Sequence, residues 1–461
     1  MKKPTSAYHA MPIINCHVAG IDIGSKFHVV AVGDNPQTDV QSFGVSTQEL
    51  FKIADFLKEH GIEKVAMEAT GGYERPLLTV LQESGFEVLI TAGANTKNYK
   101  RFKSDVSDSI HIRTLHSLGL LPPIFITEDF STKIRSLVRL RRTLIEDSAS
   151  YIRRIQKSLR NINVRIDVAL SDTFSVSGIK MLKAIYSGQE DPIRLAELAH
   201  GTCQKKPSEI AELLKGNWND NVRFEVQCCY RIFEKIQAEL VAIDKQLDNF
   251  FETYTKSFPP QNTPKLQTRI DKNSPGMDIP RMEIPRMDIE KYAHQIFGVN
   301  LNDIPGFGRD AMLNFIAEVG EGIKNFHSAK AFSKWLGFTP NNKASGGKIL
   351  SKRTLKNKSS LPNTFRMVAN SIGNIKKTNP LTNFFKRIAY RSSRMKAITA
   401  TARKVSVIVY KMLTNKEAFQ YEKLEQNIEK IKIQQIKRIK KSMAKLEISL
   451  QDLDNSGFIA I

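Results

Sequence analysis

Residues 18–33 of this 461-residue chain read Val-Ala-Gly-Ile-Asp-Ile-Gly-Ser-Lys-Phe-His-Val-Val-Ala-Val-Gly, two short runs rich in β-branched residues divided by Gly24-Ser25-Lys26. This pattern predicts a hairpin at the centre of a sheet. A third run around Gln41–Val45 extends it. Thr47–His60 then carries Leu50, Ile53, Ala54 and Leu57 at helical spacing, with Gly61 where a helix-ending residue in the left-handed region belongs. Strand Lys64–Met67, helix Glu74–Ser84, Gly85 and strand Glu87–Ile90 follow. Three strands, helix, strand, helix, strand is the order of an α/β layer domain.

Beyond it the period changes. From Phe130 to about Val164 one long helix is expected, with Ile145, Ser148, Ile152, Ile155, Leu159 and Ile162 spaced in coiled-coil fashion. A second runs from about Val222 to Phe251 on Ile232, Ile236, Leu240, Ile243, Leu247 and Phe250. The two predict an antiparallel hairpin, an arm or a self-association element, capped by short helices at Gly178–Tyr186, Ile193–His200 and Pro207–Lys215. Phe258–Ile289 holds six prolines and a five-residue repeat, Met277-Asp-Ile-Pro-Arg, Met282-Glu-Ile-Pro-Arg, Met287-Asp-Ile. Proline at that density cannot continue a helix, so a linker or extended arm is expected. The organisation predicted is an α/β domain at 15–125, a helical arm at 126–257, a Pro-rich linker at 258–290, a mostly helical domain at 291–415 and a basic helical tail at 416–461. The tail reads equally well as a solvated amphipathic helix or as a nucleic-acid contact.

Charge narrows the partner. The chain has 69 Lys and Arg against 47 Asp and Glu, a formal net charge of +22. For a chain of ordinary hydrophobic content, 41%, that excess points to a polyanion, most commonly a phosphate backbone. Apolar stretches such as Val29–Gly33 and Val88–Ala92 fall far short of the ~18 residues of a membrane span, and no signal-peptide pattern opens the chain. A cytoplasmic protein without membrane contact is expected. Cys16, Cys203, Cys228 and Cys229 form no C-x-x-C pair and no zinc-finger spacing, so reduced thiols are expected.

Asp22 stands between Ile21 and Ile23 in an otherwise apolar strand, where an unpartnered carboxylate is costly. Glu68 ends the strand Lys64–Met67, just before Ala69-Thr-Gly-Gly72, and in open α/β sheets the crevice lies at such strand ends. Asp105 and Asp108 sit three apart at the start of a helix expected over Val106–Leu118, so they share a face. Those two alone are better explained as ordinary helix N-terminal acids favoured by the dipole. Four carboxylates in one cleft repel by about 4 kcal/mol per pair at 4 Å in an effective dielectric of 20, so the set makes sense around hard cations. Mg²⁺ suits it best, since it takes oxygen ligands and bridges substrate phosphates, and a pair of ions would serve in-line phosphoryl transfer. Mn²⁺ accepts the same ligands. Glu59, Glu63, Glu74 and Glu83 read as exposed acids.

In the later domain, Ile304-Pro-Gly306-Phe-Gly308 before Ala311–Val319 resembles a helix-hairpin-helix contact to a DNA backbone, or else a plain helical turn. Further on, Lys343-Ala-Ser345-Gly-Gly-Lys348 is followed by Lys352 and Arg353. Ser345 on an accessible loop amid cations would serve as a nucleophile toward a phosphodiester, although Ser-Gly-Gly alone is usually a flexible turn. No His base lies near it in sequence.

Together, Gly20-Ile-Asp22-Ile-Gly-Ser-Lys26, Met67-Glu68-Ala-Thr-Gly-Gly-Tyr73, Lys103-Ser-Asp105-Val-Ser-Asp108, Trp335-Leu-Gly and Lys343-Ala-Ser345-Gly-Gly-Lys348 resemble the DEDD insertion-sequence transposases related to the Piv DNA invertase. The resemblance covers about 17 to 415 in the family's order of domains. It implies a RuvC-like, RNase-H-type N-terminal domain, a coiled-coil arm and a C-terminal transposase domain carrying the catalytic serine. It further implies Mg²⁺ on Asp22, Glu68, Asp105 and Asp108, and attack on DNA by Ser345 to give a phosphoserine link. A structured non-coding bridge RNA pairing with donor and target DNA, and a homo-oligomer, dimer or tetramer, with composite sites are also implied. Where relatives commonly show Lys-Thr-Asp-x-x-Asp-Ala, this chain has Lys103-Ser-Asp105-Val-Ser-Asp108-Ser109, which keeps both acids.

The leading expectation is a site-specific recombinase, the transposase of an insertion sequence. One alternative is a RuvC-like structure-specific nuclease that hydrolyses DNA with the acids alone. Another is a non-catalytic nucleic-acid-binding protein in which the acids are structural.

Overall fold

The computed structural model describes residues 11–96, 104–125, 129–173, 175–199, 203–258, 287–351, 353–354, 359–421 and parts of 433–444. The chain divides into two compact units, Met1–Ile126 and Thr127–Ile461. The Met-acid-Ile-Pro-Arg repeat lies outside the described residues except at its last three positions, as does most of the basic tail.

In unit 1, β1 (Val18–Ile23), β2 (Phe27–Ala31), β3 (Val40–Gly44), β4 (Lys64–Ala69) and β5 (Glu87–Ala92) form one sheet in the order β3-β2-β1-β4-β5. β2 runs antiparallel to β1 and β3, whereas β1, β4 and β5 are parallel. This mixed topology is consistent with an RNase-H-like domain. Successive strand residues point to opposite faces. Ala19, Ile21, Ile23, Val65 and Met67 pack with α1 (Thr47–Glu59) and α2 (Glu74–Glu83), and Ala66 packs on the other face with Ile112 and Leu115. After the short α3 (Gly93–Thr96), α4 (Asp105–Ser117) supplies those two residues. Gly61 and Gly85 end α1 and α2 with φ of 62° and 91°, which only glycine adopts cheaply.

His28, on β2 opposite Ile23, is buried, and burial lowers its pKa. His116 is shifted the same way, burial being the largest cause. The folded protein keeps both rings neutral, while the unfolded chain binds protons near pH 6.5. The stability this contributes is present above that pH and is lost as pH falls below it toward the depressed folded values. Thermal melts should show the midpoint falling from pH 7 to 5, and His28→Leu should flatten that dependence by at most about 1.4 kcal/mol per pH unit. An unchanged slope would show that His28 is not held neutral.

Unit 2 begins with α5 (Asp129–Asn161) and α10 (Asp220–Thr255). Phe130 stacks on Tyr254, Arg141 meets Asp244 at 2.6 Å and Gln237 donates to Ser148 at 2.9 Å, so the two run antiparallel. Between them α6 (Ile166–Ala169), α7 (Val176–Tyr186), α8 (Pro192–Glu197) and α9 (Pro207–Leu214) close a core of Leu159, Met181, Leu182, Leu195, Ile210 and Tyr230. The expected seam on α10 holds from Ile236 to Leu247 and slips at its ends. Ile232 is 42% exposed and Phe233 is buried in its place, and Phe251 rather than Phe250 is fully buried. At the first of these ends Phe233 is drawn into the core that α10 shares with the short helices α6–α9.

The rest of unit 2 is α11 (Ile289–Phe297), α12 (Arg309–Glu318), α13 (Ala329–Trp335), a hairpin of β6 (Lys343–Ser345) and β7 (Lys348–Ser351), α14 (Leu361–Asn374), α15 (Pro380–Arg391) and α16 (Arg394–Asn415). Helix α12 is buried on all sides among Phe297, Phe307, Phe332 and Phe365. At its end Glu318, 3% exposed, accepts both arms of the Arg139 guanidinium at 2.9 and 3.0 Å, Ser359 Oγ at 3.1 Å and Ser360 Oγ at 3.2 Å. Burial pulls the Glu318 pKa up, but the Arg139 bonds, the Arg135 charge and Ser359 outweigh it and leave the carboxyl below its ordinary value. Glu318→Ala removes the carboxylate that Arg139, Ser359 and Ser360 donate to and opens a cavity, so a loss of about 2 kcal/mol is expected in urea unfolding. A loss below about 1 kcal/mol would show that water replaces the carboxylate.

Candidate active site

Asp22 and Glu68 are brought together by register. Gly20 pairs with Ala66 and Ile21 with Met67 on the parallel strands β1 and β4. Continuing that ladder places Asp22 beside Glu68, and alternation puts both on the α4 face, in line with Gly20 and Ala66. The approach of α4 depends on Gly20, since a Cβ there would meet the Arg113 amide nitrogen and the Ser109 carbonyl oxygen. The other end of α4 is tied to the chain before β1: Ile14 N–H donates to Ser117 O at 2.8 Å and Asn15 Nδ2 to His116 O at 2.8 Å. Helix α4 therefore runs antiparallel to β1. Its first turn, with Asp105 and Asp108, reaches the strand ends where Asp22 and Glu68 stand.

Strand β4 runs to Ala69, two residues past its expected end, so Glu68 lies inside the strand. Its carboxylate accepts from Thr96 Oγ1 and lies against the Cα of Gly93, where a Cβ would collide with Oε1. Glu74 is a correction: it is buried, and its carboxylate accepts from Thr70 N–H at 3.1 Å and Gly72 N–H at 3.0 Å, closing the turn after β4. A buried acid is tolerated there because two backbone donors satisfy it. Ser104 caps α4 and exchanges bonds with Ser107, so Asp105 and Asp108 also sit where the helix dipole favours acids. All four acids are oxygen donors, the ligand type that a hard divalent cation takes. Among the described residues no three His, Cys, Asp or Glu side chains converge closely enough to enclose a metal.

Ser345 lies in unit 2, at the tip of a β-hairpin rather than on a plain loop. It pairs with Lys348 across Gly346 and Gly347, whose φ of 55° and 75° are those of a type I′ turn. Ser345, Gly346, Gly347 and Lys348 are all exposed. Asn341 N–H donating to Arg353 O at 3.0 Å and a bridge between Pro340 and Thr354 hold the hairpin's base. Arg353 is exposed, Lys352 lies outside the described residues, and no side chain among them is hydrogen-bonded to Ser345. Gly306, with φ of 75°, packs against Val368 and Ser371 of α14, so the turn and that contact account for it. Gly308 is exposed, caps α12 and has nothing within reach of a Cβ.

Thr96 and Glu318 were not singled out in the sequence, and Glu74 was read as exposed. Glu318 carried the signal that marked Asp22, an acid between two apolar residues, here Ala317 and Val319. Thr96 carried none, because its bond to Glu68 spans 28 residues.

Residues 19–164 match a family model of the DEDD type from IS110 elements, described as a transposase. Residues 299–381 match a second, described as the transposase IS116/IS110/IS902 family. No curated protein matches the chain. Among the described residues no helix is long and apolar enough to cross a membrane.

Proposed function

The chain belongs to the IS110 family of DEDD transposases, enzymes acting on DNA, and on that premise we propose that it is a site-specific recombinase using both a metal-bound acid cluster and a serine nucleophile. The observation that carries this reading is the in-register placement of Asp22 and Glu68 at the strand ends that the first turn of α4 reaches. Asp22, Glu68, Asp105 and Asp108 would hold Mg²⁺. When bound, that ion supplies polarisation of a phosphoryl oxygen and neutralises charge developing on it.

Ser345 Oγ attacks a phosphodiester phosphorus: a serine–phosphate ester bond forms, the bond to one deoxyribose oxygen breaks, and that oxygen leaves as a hydroxyl with the proton the serine gives up. Attack by a different DNA hydroxyl reverses the exchange and restores Ser345. No water enters, so the ester energy is kept for rejoining and no nucleotide cofactor is needed. Hairpin exposure supports this role, because the tip reaches a bulky substrate with two glycines leaving room for the phosphate. Lys343, Lys348, Lys352 and Arg353 are the cations proposed to hold the strand, with Gly306 and Gly308 offering backbone contacts. The long α5–α10 hairpin is read as a coiled-coil arm for assembly into a dimer or tetramer. A structured bridge RNA is the proposed guide, and the charge of +22 suits an RNA as well as DNA.

The test is a denaturing gel of the protein with RNA transcribed from its own flanking DNA, labelled donor and target DNA, and Mg²⁺. A protease-sensitive protein–DNA adduct is expected. Cleavage without an adduct would favour the RuvC-like nuclease reading.

A further inference from the structure

Between Glu321 and Glu417 the chain has no Asp or Glu at all, yet carries 21 Lys and Arg. The positive excess is therefore concentrated in one stretch of unit 2. Within it α15 and α16 form a face that the site above does not use and that begins where the second family match ends, at residue 381. Helix α15 turns Asn383, Lys386, Arg387 and Tyr390 outward at helical spacing while Leu381, Thr382 and Phe385 pack inward. Tyr390 is 97% exposed, so its ring adds nothing to the core.

Two cations meet beside it. The Arg387 guanidinium lies 5.7 Å from the Phe384 ring and the Lys404 ammonium, from α16, 4.5 Å from the same ring. Neither forms an ion pair with a carboxylate among the described residues. Burial, and then the charge of Arg387, lowers the Lys404 pKa. Arg394 binds Asn370 and Asn374 of α14 at 2.7 and 2.6 Å, fixing the start of α16. An ordinary solvated face intersperses acids with its bases, and this one has none to offer. Two cations held against each other are relieved by a phosphate, and an exposed ring beside them suits a base.

We propose that the α15–α16 face binds an unpaired strand of the DNA substrate, with Arg387 and Lys404 holding phosphates and Tyr390 stacking on a base. The proposal rests on the DNA-recombinase reading above. An unpaired strand is required because duplex bases are stacked on one another and offer no free face to a surface ring. Cutting and exchanging strands produces such a segment.

The test uses the full chain with a short fluorescein-labelled single-stranded DNA, the blunt duplex of that sequence, and the RNA of that sequence, across a salt series. Tyr390→Ala should weaken single-stranded DNA by about 5- to 100-fold, leave the duplex unchanged, and be rescued by Tyr390→Phe. The double variant Arg387→Gln/Lys404→Gln should reduce the slope of log affinity against log salt by about 1.4, the share of two phosphates on a single strand. Tyr390 is too exposed for its loss to unfold the protein, so unchanged binding in that variant is interpretable. Wild-type binding that neither variant alters, or a loss confined to RNA, overturns this proposal alone. A wild-type protein that binds none of the three overturns the recombinase reading with it.

Discussion

Ser345→Ala protein, supplied with donor DNA, target DNA and Mg²⁺, should form no covalent adduct and should lose strand transfer by on the order of 10⁴-fold or more. The size follows from what is removed: without Oγ no serine–phosphate ester forms, and water cannot store the bond for rejoining. The fold should be untouched. Ser345 is exposed, its backbone is strand, and the left-handed turn is carried by Gly346 and Gly347. An alanine there loses no hydrogen bond to a described residue, so a thermal midpoint within about a degree of wild type is expected. Cleavage at the wild-type rate would end the serine mechanism, and the acids would then act alone as in a nuclease.

Asp22→Asn should lower cleavage in Mg²⁺ by about 10³-fold, the equivalent of about 4 kcal/mol of transition-state stabilisation. Chelation of wild-type protein should do the same reversibly. Stability separates a metal role from a structural one. Asparagine keeps the shape of the β1 side chain and most of its hydrogen-bonding capacity, so the metal-free variant should melt within about 3 °C of wild type. Added Mg²⁺ should raise the wild-type midpoint by mass action and the variant's much less. Asp22→Asn protein that cleaves normally, together with a wild-type midpoint indifferent to Mg²⁺, would make the acids structural and leave a protein that binds nucleic acid without cutting it.

Much of unit 1 was legible locally. The Gly24-Ser25-Lys26 break, the helical spacing of Leu50, Ile53, Ala54 and Leu57, and the punctuation by Gly61 and Gly85 each reflect one turn or one period, which neighbouring residues determine. The hairpin tip was also within reach, because Gly-Gly between short strand-like runs is a turn signal, yet the cations around Ser345 drew attention to its chemistry rather than its turn. The roles of Glu74 and Glu318 were hidden, since whether an acid is exposed or buried depends on partners that composition does not name. For Glu318 the main partner is Arg139, on a helix 179 residues earlier.

The sequence by itself determined the order of strands and helices in unit 1, the two long helices of unit 2 and the positive charge that a polyanionic partner would meet, because period, residue type and charge are local or additive properties. Only the tertiary structure decided that Glu68 stands inside β4 in register with Asp22, and that α4 runs back over Gly20 with its first turn toward the same strand ends. Those are consequences of close packing between segments far apart in the chain, where the absence of one Cβ sets how near a helix can lie to a strand.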